Sequence, residues 1–366
     1  MFLSLREVRH AKLRFALITL VIVMVSALVF IIAGLANGLS EGNTAAIKAL
    51  PGDAMVISGG SDYLLDRSVV SAADAETITG IDGIERAEPI GISSANIKTK
   101  GSAHLVGVSL FGVSNDGFVQ PHVTSGTWLD GSESGVVVDE SLSEDGVGLG
   151  DTIVVDPGGA ELTVIGITQN QTYRISPVIF LPLPLWQELQ PEQQGRPADG
   201  VTAILVQGSD QALASIPDAA PDVTVASKQE VSDHIPGESE QNSTLFLIQI
   251  FLVIIAAGII AAFFYIITLQ KMPELGVMKA IGASTGYLAR ALVSQVVGLA
   301  LAGVLIGISI ADTLALVIGN SVPYSISVGR MALFGSLLLL VAVGGTALSL
   351  LRIARVDPLD AINKAG

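Results

Sequence analysis

Half of the 366 residues are hydrophobic, cysteine is absent, and the formal net charge is −15. A mean hydropathy of +0.63 is too apolar for an ordinary soluble domain. The lack of cysteine excludes thiolate metal sites, cysteine nucleophiles and a disulfide framework, and the acidity argues against a nucleic-acid partner.

Residues 1–12, MFLSLREVRHAK, place Phe2, Leu5 and Val8 on one side and Arg6, Glu7 and Arg9 elsewhere. This reads as a cytoplasmic amphipathic helix over 1–14, lying on the inner membrane surface; a plain basic flank is the other reading. Apolar blocks follow at Phe15 to Ala36, Thr244 to Leu269, Tyr287 to Ala311 and Met331 to Leu351. Each approaches or exceeds the roughly 20 residues that cross a bilayer. The first block is too long for a cleaved signal peptide, whose apolar core is about 7–15 residues.

The predicted order is therefore a first span over 15–38, an extracellular α+β domain over 39–243, and spans over 244–270, 287–312 and 331–352. Between and after them lie a cytoplasmic segment at 271–286, an outer loop at 313–330 and a cytoplasmic tail at 353–366. Charge sets the orientation. Residues 40–242 hold 8 basic and 29 acidic residues, whereas 1–14, 271–290 and the tail from Arg352 are net positive. Basic short loops stay inside, so both termini are expected in the cytoplasm of a multi-pass plasma-membrane protein.

Within 39–243, strands are predicted at DAMVISG, IERAEPIGISSANIKT, HLVGVSLFGV, SGVVVDE, DTIVVD, ELTVIGIT, PVIFLPL, VTAILVQG and VTVAS, all rich in β-branched residues. Asp156-Pro157-Gly158-Gly159 is expected to turn a hairpin. Helices are expected at SAADAETITGI, with Ser71 as its cap, at LPLWQELQ and at QALASI. GESEQNST, 237–244, reads as a return linker. Gly34 and Gly38, and Gly303 and Gly307, have the small-xxx-small spacing of close helix packing. They serve either a dimer seam or packing within one chain, and a hinge is a third reading for the first pair.

No catalytic inventory emerges. His10, His104, His122 and His234 form no metal-binding spacing, and neither a GxSxG elbow nor a phosphate-binding GxxxxGK[ST] loop is present. The chain is expected not to be an enzyme. The spans carry almost no ionisable residues, so any work must be driven from outside the chain. Attention falls on KMPELGVMKAIGAST, Lys271 to Thr285. Pro273 suits a first helical turn, Glu274 and Lys279 agree with the helix dipole, Gly282 can stop the helix, and Leu275, Met278 and Ile281 share a face. A short helix docking into a soluble partner, or one that merely caps the bundle, would both explain it.

That stretch resembles the cytoplasmic loop signature of ABC permeases of the MacB/FtsX superfamily, matched here by Glu274, Leu275, Gly276, Lys279, Ala280, Gly282 and Ala283; Lys271 replaces the arginine usual near its start. RIARVDPLDAI is similar to the closing motif of that family through Arg355, Asp357 and Pro358. Val137 to Ile167 resembles its outer domain. The resemblance implies an integral membrane α-helical protein with four spans and an inserted extracellular α+β domain. It also implies a homodimer bearing two ATPase subunits, with ATP and Mg²⁺ held on the ATPase and no covalent cofactor on the permease. The 271–286 segment becomes a coupling helix.

MFLSLREVRHAKLRFALI, GLANGLSEGNTAAIKALPGDAMVISGGSD and LLDRS further resemble the heme-efflux permeases of actinobacteria, the HrtB type. That resemblance implies heme as substrate. Heme iron takes Met, His, Tyr or carboxylate ligands, and its propionates favour cations, so the candidates near the outer surface are Met24, Met55, Tyr63, Glu41, Lys48, Arg67 and His234. An FtsX-type regulator of a cell-wall hydrolase, and a lipid, lipoprotein or peptide exporter, are the competing readings.

Overall fold

The computed structural model describes residues 12–71, 73–99, 104–190, 199–319, 323–325 and 327–354, with backbone alone for 12–14, 264, 268, 271–275, 279, 280, 285, 318 and 347–354. Arg6, Glu7 and Arg9, and Arg355, Asp357 and Pro358, lie outside the described residues. The elements begin with α1 (Lys12–Ala49), β1 (Ala54–Ser58), β2 (Val70–Ser71), α2 (Ala73–Thr79), β3 (Ile84–Thr99), β4 (Val106–Val113), β5 (Val123–Gly126) and β6 (Gly135–Asp139). Next come β7 (Thr152–Asp156), β8 (Glu161–Thr168), β9 (Thr172–Tyr173), β10 (Ser176–Pro182), α3 (Leu183–Leu189), β11 (Gly200–Val201) and β12 (Ala203–Gly208). The last are α4 (Asp210–Ala219), β13 (Val223–Ala226), α5 (Lys228–Asp233), α6 (Glu238–Ala280), α7 (Thr285–Ile318) and α8 (Val328–Ala354).

The chain divides into two units, one of residues 1–38 and 243–366 and the other of 39–242. In the first, α1, α6, α7 and α8 each carry a stretch long and apolar enough to cross a membrane. Ile18, Ile22 and Phe30 of α1 pack with Ala256, Val304 and Leu338 in its core. Small residues set the helix spacing. A Cβ added at Gly303 would stand 2.5 Å from Ile22 Cγ2, and one at Gly307 would stand 2.9 Å from the Ala27 backbone nitrogen. On α1, a Cβ at Gly34 would meet the Tyr324 ring and one at Gly38 would stand 2.6 Å from Tyr324 N. The Gly34 carbonyl accepts from Ser325 N at 3.0 Å, and Asn37 Nδ2 donates to Ser325 Oγ at 3.1 Å. Both glycine pairs are thus occupied by contacts within one chain.

The helices differ from the sequence-based expectation in three places. α1 does not stop near Gly38 but runs on to Ala49. The GESEQNST stretch, expected as a linker, is helical from Glu238. And α6 continues unbroken to Ala280, so Pro273 lies inside a 43-residue helix rather than opening a short one. Tertiary packing overrides the local signals here: Ala46, Ile47 and Leu50 are buried in the domain core.

In the second unit, β3 is the organiser. Its first half pairs with β12 and its second half with β4 and then β7. The succession β3–β4–β10–β6–β8–β7 returns to β3, closing a ring of strands. β13–β1–β12 extends the sheet from the other half of β3. The β7–β8 hairpin turns at Asp156–Gly159 as expected, with Gly158 and Gly159 at φ 127° and 74°. One anchor is Trp186 of α3, fully buried against Gly91 and Gly112, where any Cβ would overlap its ring, with Nε1 donating to Ser93 Oγ at 2.9 Å.

Glu88 is nearly buried on β3 and accepts from Phe118 N at 2.7 Å. Burial pushes its carboxyl above the ordinary 4.5, outweighing the opposing pull of Phe118, Ser114 and Arg86. The native state therefore holds this proton at pH values where the unfolded chain has released it. Its contribution is full below 4.5 and is lost as pH rises through the raised value. Glu88→Gln should flatten this dependence and raise the melting temperature at neutral pH, read by thermal melts of the detergent-solubilised chain at pH 5 and 8; unchanged pH sensitivity would contradict it.

Candidate functional site

A shallow cleft opens on the second unit, lined by Tyr63, Leu64, Leu65, Asp66, Tyr173, Val231, His234, Ile235 and Pro236. Tyr63 is presented by a tight turn after β1, in which Asp62 and Tyr63 both take left-handed backbone angles, φ 52° and 63°. Such angles in non-glycine residues cluster at functional positions. Ser61 Oγ closes the turn on the Ser58 carbonyl at 2.7 Å, and Ser68 Oγ ties the following segment to the Thr202 carbonyl at 2.6 Å.

His234 ends α5, whose start is fixed by a capping box between Ser227 and Glu230. Its ring stacks on Tyr63 with centroids 4.9 Å apart. His234 Nδ1 lies 2.7 Å from the Glu230 carbonyl oxygen. A carbonyl only accepts, so Nδ1 carries the proton, and the neutral ring keeps its lone pair on Nε2. At the other wall, Arg174 Nη1 pairs with Asp66 at 2.6 Å. Burial, helped by the Asp66 charge, pushes the Tyr173 phenol far above its ordinary value, so Tyr173 remains a neutral wall residue.

Of the seven heme candidates, the structure brings two together, Tyr63 and His234. Arg67 is close in sequence and lies exposed, 3.8 Å from Asp62; such an open pair contributes little and leaves the cation available. Glu41 and Lys48 are exposed on α1 and do not line the cleft. Met24 is 66 % exposed on α1 in the other unit. Met55 is fully buried in the core, which removes it as a ligand. Asp66 and Tyr173 were missed by sequence reasoning. Only the three-dimensional approach of the 63–66 turn, β9 and α5 reveals them.

The KMPELGVMKAIGAST stretch forms a helix–turn–helix corner. α6 ends at Ala280, Gly282 takes φ 104°, and Ala283 N donates to the Met278 carbonyl at 3.0 Å, the pattern of a glycine-terminated helix. Ser284 caps α7 by accepting from Tyr287 N at 3.3 Å. Gly276 is buried, and Met278 and Ala283 pack on Leu288 and Leu292. Ile281 is 82 % exposed. The single apolar face expected from Met278 and Ile281 is therefore split: one side chain holds the corner and the other projects from it. The side chains of Glu274, Leu275, Lys279 and Ala280 are outside the described set.

Comparison with known proteins places this architecture. Residues 15–222 match the model of the MacB-like periplasmic core domain, and residues 246–358 that of the FtsX-like permease C-terminal region. The chain belongs to the MacB/FtsX-like family of ABC permeases. It is 26% identical over 362 residues, 99% of both chains, to a Staphylococcus epidermidis protein provisionally named hemin transport system permease protein HrtB. It is 24% identical over 363 residues, again 99% of both, to a Staphylococcus haemolyticus protein of the same provisional name. An uncharacterised ABC transporter permease of Mycobacterium bovis is 26% identical over 98% of both chains. Among solved structures, the periplasmic region of MacB from Actinobacillus actinomycetemcomitans aligns at 19% identity with a TM-score of 0.38, covering 51% of this permease and 94% of that chain.

Proposed function

We propose that this permease is the membrane subunit of an ATP-driven heme exporter. In this reading it is a homodimer in the plasma membrane with both termini in the cytoplasm. Two separate ATPase subunits hydrolyse ATP, and helix movement, rather than a continuous channel, carries the stroke to the extracellular domain.

The observation that carries the substrate reading is the stacked Tyr63–His234 pair at the mouth of the cleft, in a chain similar end to end to proteins named for hemin transport. Tyr63 offers a phenol and His234 a lone pair on Nε2, both competent iron ligands. Arg67 is a cation for a propionate. The cleft is shallow and does not enclose a ligand, so in this reading it takes only the edge of a flat amphiphile and leaves the remainder to the membrane or a second copy. Heme is the substrate here and not a resident cofactor.

The α6–α7 corner is the surface proposed to meet the ATPase, on the cytoplasmic side. Ile281 standing in water on a glycine-terminated corner suits a groove on a soluble partner.

A hemin titration of the purified permease in detergent tests the substrate reading. A saturable Soret shift near one heme per dimer is expected, and Tyr63→Phe combined with His234→Ala should weaken binding at least about tenfold, about 1.4 kcal/mol. A spectrum identical to hemin in empty micelles would overturn heme as substrate and favour the regulator or lipid-exporter readings.

A further inference from the structure

Glu238 is 2 % exposed, and three neutral side chains converge on its carboxylate. Ser40 Oγ and Asn242 Nδ2 donate to Oε1 at 2.7 and 2.8 Å, and Asn43 Nδ2 donates to Oε2 at 2.5 Å. Ser40 and Asn43 lie on the outer extension of α1, while Glu238 and Asn242 lie one turn apart at the start of α6. A buried carboxylate normally survives by pairing with a cation; here amides and a hydroxyl from two helices satisfy it, and removing it would leave the buried Asn43 amide without this acceptor.

The same stretch of α1 is gripped from a second side. The carbonyls of Gly42 and Asn43 accept from Ile175 N and Arg174 N at 3.0 and 3.1 Å. Both of those residues hold left-handed backbone angles, φ 61° and 54°. The Arg174 side chain then reaches Asp66 in the cleft, and Pro236, another lining residue, lies two residues before Glu238. Finally, Lys228 Nζ caps the end of α1 through the Leu50 carbonyl at 2.6 Å.

We propose that Glu238 is a positioning residue: it clamps the outer ends of α1 and α6 into one unit and, through the 173–175 turn and the 234–238 segment, sets the spacing of the cleft walls. The geometry is a hydrogen-bonded path from Asp66 through Arg174 and Asn43 to Glu238, which the chain itself joins to Pro236 on the cleft lining. α1 and α6 are continuous helices over Lys12–Ala49 and Glu238–Ala280, and the clamp joins their adjoining ends. The functional consequence rests on the reading of the chain as a permease driven through its helices; the clamp itself is tested without substrate or ATPase.

The experiment is hydrogen exchange of the full chain in lipid nanodiscs, with no hemin present. Glu238→Ala removes the group that holds all three donors, so it should speed exchange at least about tenfold in peptides covering 42–50 and 173–176, with β7 and β8 unchanged. Glu238→Gln keeps one acceptor oxygen and should fall between. Because the chain has no cysteine, Ser40→Cys and Asn242→Cys in the Glu238→Ala background can be joined by a short thiol-cleavable bis-methanethiosulfonate tether. The tether should restore slow exchange in both peptides, and reductant should abolish the restoration. Acceleration confined to 236–242, or a tether without effect on 173–176, would overturn the proposal. If Glu238→Ala does not fold, Asn43→Ala supplies the same comparison with Glu238 intact. A hemin titration of the same samples separates the two questions: a chain that shows the clamp but no hemin binding refutes the substrate and leaves the clamp standing.

Discussion

Glu274→Lys should abolish ATP-coupled activity while the protein still inserts, folds and dimerises. Glu274 sits six residues before the end of α6, in the stretch proposed to meet the ATPase. On the proposed coupling role, a charge reversal here removes any cation pairing with the ATPase and adds repulsion, and truncations at interface anchors cost about 2 kcal/mol or more. The expected result is at least a tenfold fall in co-purification of the ATPase and in permease-stimulated hydrolysis. Gly282→Pro should give a similar loss by another route. Gly282 has φ 104°, and proline, fixed near −65°, cannot hold the turn that projects Ile281. Arg355→Glu, beyond the corner, should have a smaller effect. Wild-type stimulation in Glu274→Lys would remove this corner from the coupling surface.

The two variants test different parts of one argument, and they show where sequence was informative. Gly282 was legible because a helix that must turn sharply needs a positive φ, and glycine supplies it without strain. The strands were legible for a similar reason: β8, ELTVIGIT, alternates buried and partly buried residues after an exposed Glu161, and β6, GVVVD, is buried throughout. The extension of α1 was not legible. GLSEGNTAAIKA is rich in weak helix formers, and its helicity depends on burial of Ala46 and Ile47 against strands far away in the chain. The cleft was legible only as a set of residue types. Tyr63 and His234 are far apart in sequence, and nothing local indicates that Asp62, Tyr63, Arg174 and Ile175 would adopt left-handed angles without glycine. Ring closure through the β3–β7 pairing is a long-range event of the same kind. Met55 illustrates the converse error: a sulfur in a suitable place along the chain faces the core, because β1 is buried almost throughout.

Gly307→Leu should destabilise the membrane unit even when the protein is monomeric. Sequence alone could not choose between a dimer seam and packing within the chain for Gly303 and Gly307, because the same spacing serves both. The structure places α1 against them: Ile22 covers Gly303, and Ser26 and the Ala27 backbone cover Gly307. Ser26 Oγ also donates to the Gly303 carbonyl at 3.1 Å, a bond that requires the two helices to remain in close contact. Leucine at 307 would meet backbone 2.9 Å from its Cβ, which cannot rotate away, so α1 and α7 must separate and the Ser26 bond must stretch or break. Overpacking of this kind costs about 1–3 kcal/mol. The measurement is resistance to denaturing detergent under conditions where the wild-type protein runs as a monomer. A lower midpoint in Gly307→Leu identifies these glycines as intramolecular spacers. An unchanged monomer midpoint with loss of the dimer would instead mean that α1 is not their partner in the membrane.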